Sequence, residues 1–423
     1  MRKVLVITYY WPPAGGPGVQ RWLKFVKYFR DFGIEPVLYI PENPHYPLLD
    51  ESFLQDTPDD LKIYKHPIKE PYRIATIFSS KKTKRISSGI IQTKNQSFLE
   101  KALLWIRGNL FIPDARKFWV KPSVSFLKGV LEKEGIDTII TTGPPHSVHL
   151  IGYYLKHSKQ LNWIADFRDP WTTIGYHKKL KLTSSAEKKH KQLESDVLNT
   201  ADKIIVTSAT TKQEFQHITN QPIKVITNGF DGDISTEVEL DTKFTISHIG
   251  SLLSGRNPLK LWKVLSELIT KNSSFKEALC IQFIGVVSDE ILSSIDEMGL
   301  KDYIQILGYV SHEKAITYQK SSQVLLLVEI DSQETVGIIP GKLFEYMAAK
   351  RPIIGVGPKN WEVGEIVAQT KTGYIFEHSD DITLKNVLLN WFEQFQNNEL
   401  QISSNTIEKY SRRELTRKLV EYI

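Results

Sequence analysis

The sequence predicts an α/β protein of two doubly wound parallel sheets, and three observations carry that prediction. Short, β-branched apolar runs alternate with helical stretches from the first residue onward, the pattern of strands joined by crossover helices. The alternation halts at the turn-rich string Asn228-Gly229-Phe230-Asp231-Gly232-Asp233 and then begins again. The chain has 423 residues, 41% of them hydrophobic and 11% aromatic, enough to fill two cores.

In the first half, residues 4–8 read as a strand, followed by a Gly/Pro loop, a helix over about 19–32 and a strand over 34–40. Residues 42–120 are less regular, rich in Pro, Lys and aromatic side chains, and read as an elaborated insertion. Strands return at 138–141, 163–166, 203–207 and 224–227. In the second half, strands are expected at 245–250, 281–284, 304–307, 324–328 and 352–356. The domains are therefore set at 1–228 and 244–402, with a linker over 229–243. The amphipathic segment 403–423 is expected to pack back toward the first domain as a helix.

Charge and cysteine narrow the function. Residues 1–200 hold 31 Lys and Arg against 19 Asp and Glu, a net of +12, whereas residues 201–423 hold 23 against 29, a net of −6. A basic front half suits an anionic surface or substrate, and equally a solvated surface bias. The single cysteine, Cys280, excludes a disulfide framework and a Cys-rich zinc site. It lies in a strand-like run and reads as core, in a reducing compartment. The first apolar run is short, and Tyr9-Tyr10-Trp11-Pro12-Pro13 interrupts it without a cleavage site, so a strand is expected rather than an export signal. No run approaches the roughly 18 apolar residues of a spanning helix. These features lead to the expectation of a soluble cytoplasmic protein that at most lies on the inner face of the cell membrane.

Ligands of doubly wound sheets bind outside the carboxyl ends of strands, and four loops there carry chemistry. Ala14-Gly15-Gly16-Pro17-Gly18 follows the first strand and opens a helix, where Gly16 and Gly18 let the backbone approach an anion; a tight turn alone explains it too. The string is not G-x-G-x-x-G, and no acidic residue follows the second strand in a ribose position, which argues against a dinucleotide fold. Gly143-Pro144-Pro145 forces a turn that places His146 in a loop and His149 in the next helix's first turn, as structural or catalytic groups. Asp166-Phe167-Arg168-Asp169 brings two carboxylates and an arginine to the next strand exit, either as a closing ion pair or as a functional edge.

The strongest string is Gly337-Ile338-Ile339-Pro340-Gly341-Lys342-Leu343-Phe344-Glu345-Tyr346. Its Pro-Gly turn opens a helix with Lys342 and free backbone N–H groups available to an anion, and Glu345 one turn further in, within reach of a ribose diol. Gly250-Ser251-Leu252-Leu253-Ser254-Gly255-Arg256 follows the first strand of that half and offers Arg256 to a phosphate.

Taken together and in order, the Gly-Gly-Pro-Gly loop, Asp-Phe-Arg-Asp-Pro-Trp, the Asn-Gly-Phe-Asp linker, Gly250 to Arg256 and the Pro-Gly-Lys-Leu-Phe-Glu-Tyr helix resemble glycosyltransferase family 4 and its relatives across nearly the whole chain. The resemblance implies a GT-B fold, two Rossmann-like domains facing across a cleft, and a retaining enzyme acting on nucleotide-sugars. It implies that Glu345 holds the donor ribose, and that Arg256 and Lys342 neutralise the diphosphate. Gly250, Gly341 and Leu343 would line the donor site, Gly308-Tyr309-Val310 would border the base, and Gly16 and Gly18 would reach the sugar phosphate. His146 and Asp169 are the further catalytic candidates, with Arg168 and Asp166 on the acceptor side. The chain departs from the family where the first Glu of a Glu-x7-Glu pair would stand, which is Gly337. It departs again at Trp262, where a phosphate-binding Lys is usual and Lys260 lies nearby, and at Thr142, where many members carry His.

The expected reaction is transfer from a nucleoside-diphosphate-sugar to a glycan or lipid-linked acceptor. No cofactor or metal is implied, since Asp-x-Asp occurs only as Asp231-Gly232-Asp233 in the linker. Peripheral contact with an anionic membrane is expected from the first helix, from Lys81-Lys82-Thr83-Lys84-Arg85 and from the stretch between Trp105 and Trp119. No nucleic-acid module is recognisable. Two rival readings share the same donor site: a nucleotide-sugar epimerase or hydrolase, and a non-catalytic nucleotide-sugar or glycan binder.

Overall fold

The computed structural model describes residues 1–70, 98–178, 180–231, 238–402 and 406–423. It divides into an N-terminal unit of Met1–Thr227 with Arg412–Ile423, and a C-terminal unit of Asn228–Ser411.

The N-terminal unit is built on β1 (Arg2–Ile7), β2 (Ile34–Pro41), β3 (Lys62–His66), β4 (Thr138–Gly143), β5 (Asn162–Phe167), β6 (Lys203–Val206) and β7 (Ile223–Val225). These strands pair in parallel in the order β3-β2-β1-β4-β5-β6-β7, so the chain reverses its direction of winding between β1 and β4. Both faces of β1 are covered. Val4 and Val6 point into a layer with Val19, Trp22 and Val26 of the helix Pro17–Phe29, while Leu5 and Ile7 point into a layer with Leu127, Ile151 and Val197 of three other helices. The terminal helix Arg412–Tyr422 closes the first layer, burying Leu415 and Leu419. Each such burial contributes about 1.5–3 kcal/mol. Arg413 adds an ion pair to Asp31 at 3.0 Å.

The C-terminal unit repeats the topology with β8 (Phe244–Ile249), β9 (Leu279–Ile284), β10 (Ile304–Ile306), β11 (Val324–Val328), β12 (Ile353–Gly357) and β13 (Gly373–Glu377) in the order β10-β9-β8-β11-β12-β13. Phe244 and Ile246 pack on Leu261, Trp262 and Leu265 on one side, and Leu325 and Leu327 pack on Leu343, Phe344 and Met347 on the other.

Several elements differ from the sequence reading. Strand β3 lies inside the segment read as an insertion; its residues are charged and only half-buried because it is the edge strand. Strand β13 has no counterpart in the expected set, since Gly373 and exposed Tyr374 blur its apolar alternation. Phe230 and Asp241, assigned to the linker, belong to the C-terminal unit: Phe230 is buried, and Asp241 takes Thr245 and Ser321 through side chain and backbone. Cys280 is half-buried rather than core, on the face of β9 that meets Gln305. The basic run Lys81-Lys82-Thr83-Lys84-Arg85 and the linker's Gly232 and Asp233 lie outside the described residues. Among the described residues no helix is long and apolar enough to cross a membrane.

Candidate functional site

Sheet order makes the exits of β1, β4 and β5 neighbours, and the sequence candidates of the N-terminal unit meet there. Asp166 is the register partner of Thr142 across β4 and β5 and is completely buried. Its Oδ1 accepts from Arg21 Nη2 at 2.8 Å, and its Oδ2 accepts from Trp22 Nε1 at 2.7 Å and Thr142 Oγ1 at 2.8 Å. Arg21 Nε also donates to Asp166 at 3.2 Å, Nη1 donates to Thr227 O and Nη2 to Ile226 O, the last two each at 2.9 Å. Burial alone would raise the Asp166 carboxyl, but the Arg21 charge and the three donors outweigh it and hold it below its ordinary value. The acceptor-side assignment of Asp166 thus falls on a carboxylate fully occupied within the unit.

Arg168 ties the loops together. Its Nη1 donates to Gly18 O at 2.5 Å, its Nε to Gly143 O at 3.3 Å, and its Nη2 to Pro144 O. A Cβ on Gly18 would stand 2.8 Å from that Nη1, so glycine makes room for the guanidinium. Gly16, at φ +89°, has open space around it and takes the left-handed conformation that opens the helix. Asp169 differs from Asp166: among the described residues nothing donates a hydrogen bond to it, and burial raises its carboxyl while Arg168 pulls it down.

His146 is buried, stacked on Trp171 at 4.9 Å, with neither ring nitrogen bonded among the described residues. Burial, then the charges of its neighbours, keeps it well below the ordinary histidine value. His149 stacks on Phe167 at 4.2 Å. Thr141 Oγ1 accepts from Trp163 Nε1 at 2.9 Å and shares a hydrogen bond with His149 Nδ1 at 2.9 Å. Burial pulls His149 down to about 3. Both rings are neutral. Arg21 and Trp22 were missed as partners of Asp166; the trace they leave is an arginine within the buried stripe of the first helix.

In the C-terminal unit the exits of β8 and β11 carry the cations. Gly250, at φ +108°, leaves space that Lys342 Nζ occupies: a Cβ there would lie 2.8 Å from it. Lys342 Nζ donates to His248 Nε2 at 3.4 Å, because His248 Nδ1 is committed to Leu326 O at 3.0 Å. Burial, then the nearby Arg256 charge, lowers Lys342 to about 8, with Glu329 and Glu345 pulling the other way. Arg256 Nε donates to Oε1 of buried Glu329 at 3.0 Å, and Nη2 lies 2.9 Å from the same oxygen in an ion pair. Glu345 accepts from Gln319 Nε2 at 3.0 Å through Oε2.

The remaining donor candidates divide by exposure. Tyr309 is 70% exposed beside Gly308, which sits at φ +68°. Val310 is half-buried, Gly341 precedes the helix Lys342–Ala348, and Leu343 is fully buried, so its side chain belongs to the core. The loop at Gly337 is pinned where Trp361 Nε1 donates to Ile338 O at 2.7 Å. Trp262 is core, donating to Asn257 Oδ1, and Lys260 pairs with Asp381 at 3.3 Å. Glu329 and His248 are the groups that the sequence did not reveal; Glu329 directly follows the apolar strand β11, and His248 is the last polar residue of β8, where Thr245 and Ser247 already alternate with apolar residues. Among the described residues no group of three or more His, Cys, Asp or Glu side chains is placed to hold a metal ion.

Residues 233–409 match the family model for glycosyl transferases group 1. Comparison with curated protein sequences finds no match. Among solved structures, the chain is similar to a glycosyltransferase from Rickettsia africae, at 13% identity and a TM-score of 0.63, covering 100% of this chain and 97% of that one. It is similar to a lipopolysaccharide outer core galactosyltransferase at 13% identity and a TM-score of 0.58, covering 100% and 99%. It is also similar to HepE of Anabaena, solved in complex with UDP-glucose, at 11% identity and a TM-score of 0.56, covering 100% and 95%. The chain therefore has the GT-B fold, with a glycosyl transferases group 1 match in its C-terminal half.

Proposed function

We propose that this chain is a retaining glycosyltransferase that moves a sugar from a nucleoside-diphosphate-sugar to a glycan or lipid-linked acceptor in cell-surface polysaccharide synthesis. The observation that carries this reading is the pairing of Arg256 and Lys342 at adjacent strand ends of the C-terminal unit. Burial first, and the Arg256 charge second, lower the ammonium to about 8, so the two cations repel in a desolvated setting, and a diphosphate relieves that repulsion. Glu345, with one oxygen held by Gln319, keeps the other for a ribose diol, and exposed Tyr309 offers a flat face to a base.

In the proposed reaction the bond from the sugar's anomeric carbon to the diphosphate breaks, and Arg256 and Lys342 stabilise the charge left on the phosphate. An acceptor hydroxyl bonds to the same face of that carbon, and its proton passes to the departing phosphate oxygen. No separate base and no metal is required. On the N-terminal unit, Asp169 is assigned to the acceptor because it makes no hydrogen bond among the described residues, with His146 as a neutral neighbour. Arg168 and Asp166 act there by holding the loops.

A lipid-linked acceptor would bring the chain to the inner membrane face. Supporting this, Trp105, Leu110 and Phe118 are exposed, and Lys117 lies 5.5 and 5.3 Å from the rings of Phe111 and Phe118, a pairing suited to lipid headgroups. The test is a thermal-shift panel of nucleoside diphosphates and their sugars against wild type and Glu345→Ala. Stabilisation by one base, lost in the variant, is expected. No stabilisation by any nucleotide would overturn the reading.

A further inference from the structure

Arg256 is exposed enough to meet a ligand, with its side chain 31% accessible, whereas its partner Glu329 is 2% accessible. Oε1 of Glu329 accepts from Arg256 Nε at 3.0 Å and lies 2.9 Å from Nη2 in an ion pair, and the same oxygen accepts the backbone N–H of Ile330 at 2.9 Å. The carbonyl of Glu329 is held in turn by His378 Nε2 at 2.8 Å. Glu329 is therefore fixed at both ends, and its single oxygen fixes the plane of the guanidinium. Among the described residues Nη1 makes no hydrogen bond, so a full edge of the fork remains for a phosphate.

We propose that Glu329 is a positioning residue for the donor diphosphate: it holds the Arg256 fork through Nε so that the Nη1 and Nη2 edge faces the phosphate. This rests on the reading of the C-terminal unit as a diphosphate site. It also gives a role to a carboxylate in a region where Gly337 stands in place of the family's first glutamate.

The sign of one substitution separates positioning from charge. A carboxylate next to an anion site repels the anion, so removing its charge tightens binding if charge is all that matters. If Glu329 positions Arg256, its loss weakens binding although a negative charge has gone. Glu329→Asp keeps the charge but withdraws the oxygen by a carbon–carbon bond, and it serves equally where Glu329→Gln fails to fold.

The experiment is calorimetric titration of the full chain with UDP and GDP, using wild type, Glu329→Gln, Glu329→Asp, Arg256→Ala and the Arg256→Ala combinations. Both Glu329 variants are expected to bind about tenfold more weakly than wild type, the scale of one misaligned charge-assisted hydrogen bond. In the Arg256→Ala background the same changes are expected to weaken binding by less than about twofold, because the positioned group is gone. Equal weakening in both backgrounds would mean a merely structural role, and unchanged or tighter binding in the single variants would mean charge alone; either overturns the proposal. If wild type binds neither nucleotide, the donor reading itself fails and this assignment fails with it.

Discussion

The two units share one strand order about their switch points and use it in opposite ways. At the N-terminal rim two of the charged groups are occupied within the unit: Asp166 takes Arg21, Trp22 and Thr142, and Arg168 takes three carbonyls from two loops, while Asp169 has no donor among the described residues. At the C-terminal rim the charges are supported but incompletely used, since Lys342 leans on a neutral imidazole and Arg256 keeps a free edge. The difference teaches that topology places residues at a rim, while side-chain pairing decides whether the rim is closed for stability or left open for a ligand.

The largest break in that comparison is expected at Asp166. Asp166→Ala strands Arg21 in a buried setting, and the loss expected in denaturant unfolding is about 3–5 kcal/mol. The opposite is expected at Lys342, a buried cation already pushed down to about 8. Lys342→Ala should leave the unfolding midpoint nearly unchanged yet weaken nucleoside diphosphate binding by about 10–100-fold in calorimetry.

Acidity sharpens the contrast further. His149 and His177 are lowered to about 3 and 4, burial being the first cause of each. A folded value below the unfolded one means that the unfolded chain binds more protons. Their contribution is thus full above about pH 6.5 and is lost as pH falls toward 4 and then 3, by up to about 1.4 kcal/mol per pH unit per histidine. Unfolding midpoints across that window should fall for wild type and flatten for His149→Asn. Lys342 predicts the converse for the ligand: binding needs the ammonium, so affinity should decline as pH rises through about 8, and a pH-independent affinity would contradict its role.

The smallest effect is expected at Gly18. Its φ is permissive and the added Cβ meets one terminal nitrogen of Arg168 and no backbone atom, so Gly18→Ala should change stability by about 1 kcal/mol. A large loss of activity with that small loss of stability would return Gly18 to the functional reading.

The sequence alone determined the two α/β halves, the turn near 228, the strand exits that carry polar residues, and the Pro-Gly-Lys-Leu-Phe-Glu string. All of these are local: periodicity, turn chemistry and the order of residues along the chain express them without knowledge of partners. The tertiary structure decided what those residues do to one another. Asp166 and Asp169 stand three positions apart and look alike in the sequence, yet one is enclosed by Arg21 from the first helix and the other has no donor among the described residues. Edge strand β3 was hidden because an edge needs no continuous apolar run. Glu329 became visible only when β11 lay beside β8 and brought it to Arg256, 73 residues earlier, because such pairings are fixed by sheet order and burial rather than by spacing.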